Sequence, residues 1–314
     1  MKSRFGIITG IVLLGALIAA ASLRSGLLNL PAVPEAVTPK DAGLQGLDAM
    51  KTLDEGVESG RVPDGSDIDS LQEAVRVDPT NLVLGNRLRM EVLQRKRAWM
   101  SQRADQGEIA LEFPDGLRDE PVRFLRALAK LHPTRETKLQ LALALVDHMV
   151  LFSALEIKAP ASVEAVEILT GILEDGAANS AYYVPALYAR GLNYLYRPFN
   201  LVWPERLAAA PDAASQDIGL AVAVGQKMGV GSDALKAELA LNLGDAYAKE
   251  GQPNLARSWW QLAKNMVKSD TVLERVRLRL QWKDEDLRAN LEETLQRQME
   301  DIDHPLSDLR FMWQ

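Results

Sequence analysis

The stretch LALNLGDAYAKEGQPNLARSWWQLAKNMV, Leu239 to Val267, constrains the fold of this chain more than any other. Its apolar residues recur at spacings of three and four, the period of an amphipathic helix. Gly251 breaks the pattern, and Gln252-Pro253 restarts it, with the proline suited to a first helical turn. Two helices joined so tightly must lie antiparallel and in contact. Gly244 is the small residue of the first, preceded by Leu243 and followed three residues on by Tyr247. Ala256, Trp260 and Ala263 follow on the second, spaced by four and then three. Gly244 and Ala256 let the two backbones approach, while Tyr247 and Trp260 fill the wedge between the helices.

The same grammar runs through most of the chain. From about Asp41 onward the sequence reads as helix after helix with short connections. Only GEIALEF, Gly107 to Phe113, reads as a strand, and the PDG after it is a turn. ALYARGLNYLY repeats the first-helix pattern, with Leu187, Gly191 and Tyr194 in similar parts. Its second helix is delayed to AASQDIGLAVAVGQ, where Ala214, Ile218 and Ala221 have the matching spacing. Between them lies an insertion, RPFNLVWPERLAAAPD. EAVRVDPTN and ALAKLHPTRET each read as the end of a second helix closed by proline. SVEAVEILTGILEDGAANSAYYVPAL reads as second helix, loop and next first helix.

The unit at Leu239–Val267 resembles the tetratricopeptide repeat, and the other units resemble it in part. The resemblance implies an all-α, TPR-like α-solenoid of antiparallel helix pairs over residues 43–314. Its clearest repeat is 237–268, and a repeat with an insertion spans 182–228. Roughly four or five pairs are expected, ended by charge-rich helices over 270–302 that cap the stack against solvent.

The N-terminus adds a location. Lys2 and Arg4 precede an uncharged run from Phe5 to Leu23. At about 1.5 Å per residue the run spans about 28 Å, close to the hydrocarbon thickness of a bilayer. Residues 1–24 are therefore expected to be a membrane anchor or, cleaved near Ala19–Ala21, a signal peptide. The flanking charges predict a cytoplasmic N-terminus and a periplasmic body on the bacterial inner membrane, or a body released to the periplasm by cleavage. Pro31, Pro34 and Pro39 make residues 25–42 an extended spacer. One anchor, one spacer and one helical-repeat body is the layout that this chain shares with membrane-anchored periplasmic TPR proteins.

Chemistry is hard to place. The chain has no cysteine, which excludes thiolate metal sites, cysteine nucleophiles and thioether haem attachment. A net charge of -7 argues against a nucleic-acid partner. His132 and His304 precede prolines, and His148 is adjacent to Asp147, whereas neighbours i and i+1 do not share a helix face. No Walker A, G-x-G-x-x-G or G-x-S-x-G motif is present, and no cofactor or small-molecule ligand is inferred. GVGSDALK reads as a helix stop at Gly229 and Gly231 followed by a Ser232 or Asp233 N-cap.

Binding is the reading that remains. The resemblance places partner segments on the first helices, which carries over to Tyr188, Ala189 and Leu192, with Asn193 nearby, and to Glu238, Leu241, Asn242 and Asp245. Of these only Asn242 fits a carboxylate clamp, so a basic or apolar partner segment is expected instead. Tyr196, Arg197, Phe199 and Trp203 fall at or in the insertion, either pinning a loop to the fold, forming an exposed ridge for a partner, or, least favoured by the acidic surroundings, entering the membrane surface. The expected role is a non-catalytic, membrane-tethered periplasmic adaptor or assembly factor for an envelope complex or client. The alternatives are an accessory subunit of a larger membrane complex and a carboxylate-dependent envelope hydrolase.

Overall fold

Leucine- and alanine-rich runs with polar residues on one side of the helical period have few ways to bury their apolar stripe, and packing against a second helix is the simplest. The computed structural model follows that rule. It describes residue 30, residues 68–105, 117, 119–151, 155–175, 183–197, 210–229, 232–266, 270–300 and 307–310. Among the described residues every regular element is a helix, an all-α arrangement. The anchor (1–24), the strand-like Gly107–Phe113, and Phe199 and Trp203 lie outside the described residues, as does all of the spacer except Leu30.

The helices are α1 (Ile68–Val77), α2 (Leu82–Asp105), α3 (Val122–Leu131), α4 (Arg135–Leu151), α5 (Leu155–Glu174) and α6 (Tyr183–Leu195). They continue with α7 (Ala213–Met228), α8 (Asp233–Lys249), α9 (Pro253–Met266), α10 (Asp270–Leu280) and α11 (Leu287–Glu300). From α3 to α10 each helix packs on the next, and α1 packs on α2. The even-numbered helices also touch one another in order, α2 on α4, α4 on α6, α6 on α8 and α8 on α10. They form an unbroken row, with the odd-numbered helices between them in sequence.

The α8–α9 pair is the tightest contact, and its sequence explains why. A Cβ placed on Gly244 would lie 2.5 Å from Trp260 Nε1 and 3.0 Å from the Ala256 carbonyl oxygen, so only glycine admits this approach. Gly191 plays the same part between α6 and α7, where a Cβ would stand 2.6 Å from Ile218 Cγ1. Gly251, at φ 75°, makes the reversal after α8 in the left-handed region that glycine enters without steric cost. The stop and start between α7 and α8 follow the predicted chemistry. Gly229 caps α7 at φ 67°, and the Ser232 hydroxyl accepts from Leu235 N at 3.2 Å.

Two apolar clusters fill the interior. One joins Leu71, Val75, Leu88, Leu125 and Leu145 over α1 to α5. The larger runs from Leu82 and Leu139 through α6 to α10, where Trp259 and Trp260 are its largest fully buried members. It also takes in Leu287, Leu291 and Leu295 of α11, Leu309, and Leu30 of the spacer.

The last helix departs from expectation. Rather than capping an end, α11 packs on both α4 and α8 and so lies across the even-numbered row. Leu287, Leu291 and Leu295 recur every four residues, and that stripe is buried in spite of the charged residues around it. A helix with such a stripe is driven onto an apolar face, not into solvent.

Candidate functional site

The even-numbered row gathers polar side chains where α6, α8 and α10 meet. Asn242 donates to Tyr188 Oη at 2.8 Å and to the Glu238 carbonyl at 3.0 Å. Arg275 Nη1 donates to Glu238 Oε1 at 2.6 Å. Four residues on, Arg279 grips Asp245 with two bonds, Nε to Oδ1 at 2.7 Å and Nη2 to Oδ2 at 2.8 Å. Trp260 Nε1 reaches the same Oδ1 at 2.9 Å. Trp282 stacks edge-on to Trp260 at 5.8 Å and lies 5.7 Å from the Arg279 guanidinium. Arg279 and Asp245 are both 0% exposed. A charge so placed needs a bidentate partner, and here it has one.

The electrostatics follow from burial. The Tyr188 phenol is held well above its usual range by burial, with the Glu238 carboxylate adding to the shift. Burial also raises the Tyr196 phenol, against the opposing charge of Arg275. Both remain neutral at physiological pH. Glu238 Oε2, Asn242 Oδ1 and Arg275 Nε are buried without a hydrogen-bond partner. The cluster thus holds hydrogen-bonding capacity beyond what its own members use.

Five of the sequence candidates belong to this assembly. Tyr188, Tyr196, Glu238, Asn242 and Asp245 lie together between α6, α8 and α10. Leu192, Leu241, Asn242 and Asp245 are buried, so in this fold they hold helix to helix and are not a free surface. Asn193 is buried too, accepting from Ser162 Oγ at 2.7 Å. Arg197 is buried with its guanidinium 4.7 Å over the Tyr194 ring. Lys249 of α8 closes that corner, donating to the carbonyls of Tyr194, Leu195 and Arg197 at 2.7–2.9 Å. It ties down the carbonyls at the C-terminal end of α6, where a cation is favoured. Burial pulls its pKa down to about 8, with Arg197 adding to the effect. The packing candidates Gly191, Tyr247, Ala256, Trp260 and Ala263 lie in buried positions, and Tyr194 is half-buried.

A second polar centre escaped the sequence reading. Arg89 of α2, 0% exposed, spreads its fork over Gln140 Oε1, Asp147 Oδ2, Asn86 Oδ1, Ser307 Oγ and the Ser307 carbonyl, all at 2.8–2.9 Å. Burial raises the Asp147 carboxyl, and Arg89 opposes the shift. Lys96, two turns along α2, donates to the Glu120 carbonyl at 2.7 Å, and burial lowers it to about 8. A signal for this centre was present. Asn86, Arg89, Leu93 and Lys96 recur at i, i+3, i+7 and i+10, one continuous helix face. Arg275 and Arg279, an i, i+4 pair beside Trp282, fall in the charge-rich 270–302 stretch expected to cap the stack against solvent.

Asp147 and Asp245 are each committed to a guanidinium, and no group of His, Asp and Glu among the described residues is placed to hold a metal ion. No helix among the described residues is long and apolar enough to cross a membrane. Comparison with protein-family models, curated protein sequences and solved structures gives no match to this chain.

Proposed function

We propose that the chain is a membrane-tethered helical-repeat adaptor, a TPR-like solenoid whose even-numbered helices form the inner, polypeptide-binding face. One observation carries this reading. That face already accepts a polypeptide, because α11 lies across α4 and α8 and residues 307–309 are buried against α2 and α4. A surface that takes a helix and an extended segment of its own chain has the shape and hydrogen-bonding groups for a partner's.

The tether is read from residues 1–24. With an anchor ending near residue 24 and Leu30 packed on the main core, the body would stand within about 20 Å of the bilayer, six residues at about 3.3 Å each. An adaptor held so close would serve clients at or emerging from the membrane.

The test is purification of the full-length chain from its native membrane after crosslinking. A substoichiometric partner that salt removes is the expected outcome, whereas a fixed set of subunits would make the chain a permanent component. Recovery of the chain alone, with no crosslink from the even-numbered row, would overturn the adaptor reading. Phe199→Ala and Trp203→Ala are expected to weaken partner capture while leaving helicity and melting temperature unchanged. Loss of stability in both would assign them to packing.

A further inference from the structure

The C-terminal segment is held in a manner that differs from helix packing. Ser307, Asp308 and Leu309 are all buried, and side chains from two helices read them one by one. Arg89 donates to the Ser307 hydroxyl and, through Nη2, to the Ser307 carbonyl. The Ser307 hydroxyl donates in turn to Asp147 Oδ1. Asn86 donates from Nδ2 to Asp308 Oδ1 and accepts from Leu309 N, each at 2.9 Å. The Leu309 side chain enters the main core. Main-chain polarity, a hydroxyl, a carboxylate and an apolar side chain are thus recognised within three consecutive residues.

The receiving side is built without the segment. Arg89 is oriented by Asn86, Gln140 and Asp147, and Gln140 is itself fixed by its bond to the Leu82 carbonyl at 3.0 Å. All of these groups come from α2 and α4. A site whose donors are already locked loses little freedom when a ligand arrives. The segment also brings its own counter-charge. Arg310 folds back on Asp308 with bonds of 2.6–3.1 Å. Burial would raise the Asp308 carboxyl, but the bonds from Arg310 and Asn86 outweigh it and hold the group below its usual value. The Asp–Arg pair therefore docks as a charged but internally compensated unit.

We infer that Asn86, Arg89, Gln140 and Asp147 form a peptide-recognition site for a Ser-Asp-apolar-Arg segment, and that residues 307–310 are its resident occupant, displaced by a partner segment of the same chemistry. The inference rests on the adaptor reading and adds the partner's motif and the gate to it. In the resting chain the site is closed by its own residues 307–310, and a client must out-compete an intramolecular ligand.

The test uses the full chain carrying Ser307→Ala, Asp308→Ala and Leu309→Ala, which removes the segment's side-chain contacts and leaves only its main-chain bonds to compete. The probe is a labelled peptide of sequence HPLSDLRFMWQ, residues 304–314. The variant should bind it at least about tenfold more tightly than the wild-type chain does, and about tenfold more tightly than the same peptide with its serine and aspartate changed to alanine. A folded variant that binds neither peptide, or both alike, overturns the inference. If the variant does not fold, native-state hydrogen exchange of the wild-type chain decides. Exchange of the Leu309 and Arg310 amides about a hundredfold faster than core amides of α2 and α4 supports a displaceable segment. Exchange in step with those amides makes the segment part of the core and ends the proposal. Should the peptide test fail while crosslinked partners persist, the motif falls and the adaptor reading stands. If both fail, both fall.

Discussion

Two buried arginines solve the same problem differently. Arg279 sits against Asp245 in a closed, two-point grip, with Trp260 on the same carboxylate, and all three residues come from consecutive helices. Arg89 donates only one bond to Asp147 and gives the rest of its fork to amides and to Ser307, 218 residues away. The first is a local staple within the α8–α9–α10 corner. The second is a clasp joining the start of the helical body to its end. A short-range pair forms as soon as its helices dock, whereas the clasp requires closure of a very long loop. The contrast teaches that burying a guanidinium does not by itself define its role. What matters is whether its partners come from the same packing unit.

That contrast can be broken by substitution. The largest effect is expected from Asp245→Ala, which leaves Arg279 buried and uncompensated and should cost about 3–5 kcal/mol in denaturant unfolding. Asp147→Ala should cost a similar amount, but it alone should further speed exchange of the Leu309 and Arg310 amides relative to the core amides of α2 and α4. If Asp245→Ala frees that segment equally, the two centres are one cooperative unit and the distinction fails.

Gly244→Ala tests the staple from the packing side. The new methyl meets the Trp260 ring and the Ala256 carbonyl, neither of which can move freely. A loss of about 1–3 kcal/mol is expected, seen as a lower melting temperature. A neutral outcome would mean that the α8–α9 approach is looser than the glycine implies.

Lys249 gives a pH test that sharpens the comparison, because it ties α6 to the same corner. Its folded pKa is about 8 against 10.5 for the free side chain. Between those values the unfolded chain binds more protons, so the free energy of unfolding should rise with pH from 8 towards 10.5. Below pH 8 the lysine is charged in both states and the burial cost is present in full. Relative to Lys249→Met, the wild-type chain should gain on the order of 1–2 kcal/mol between pH 8 and 10 in urea melts. A flat difference would show that the ammonium is solvated.

The smallest effect belongs to the surface. Arg126 and Glu164 pair at 2.6 Å between α3 and α5, yet their side chains are 51% and 37% exposed. Glu164→Gln should change stability by less than about 1 kcal/mol, and salt should erase the difference. A larger loss would show that exposure does not separate this pair from the buried centres.

How much of this was legible beforehand depends on distance along the chain. The helix pair at Gly244, Gly251 and Trp260 was readable because its contacts repeat with the helical period and span a short turn. So was the Gly229–Ser232 junction, where φ and capping are set by neighbouring residues. The candidates Tyr188, Glu238, Asn242 and Asp245 were placed on one row of helices, and they do meet there. Their burial was not readable, because Arg275 and Arg279 fall in a charge-rich stretch expected to cap the stack against solvent. A charged residue is written identically whether it faces water or a carboxylate in the core.

By itself, then, the amino-acid sequence determined the helices, their caps and the small-and-aromatic fit of neighbours such as α8 and α9. All of these depend on residues a few turns apart, where the helical period fixes what can touch. Only the tertiary structure decided that α11 turns back across the row and that Ser307, Asp308 and Leu309 seat among Asn86, Arg89 and Asp147. Residues separated by 160 to 223 positions share no period. Their meeting is selected by the burial of a leucine stripe and by the pairing of charges that cannot enter a core alone.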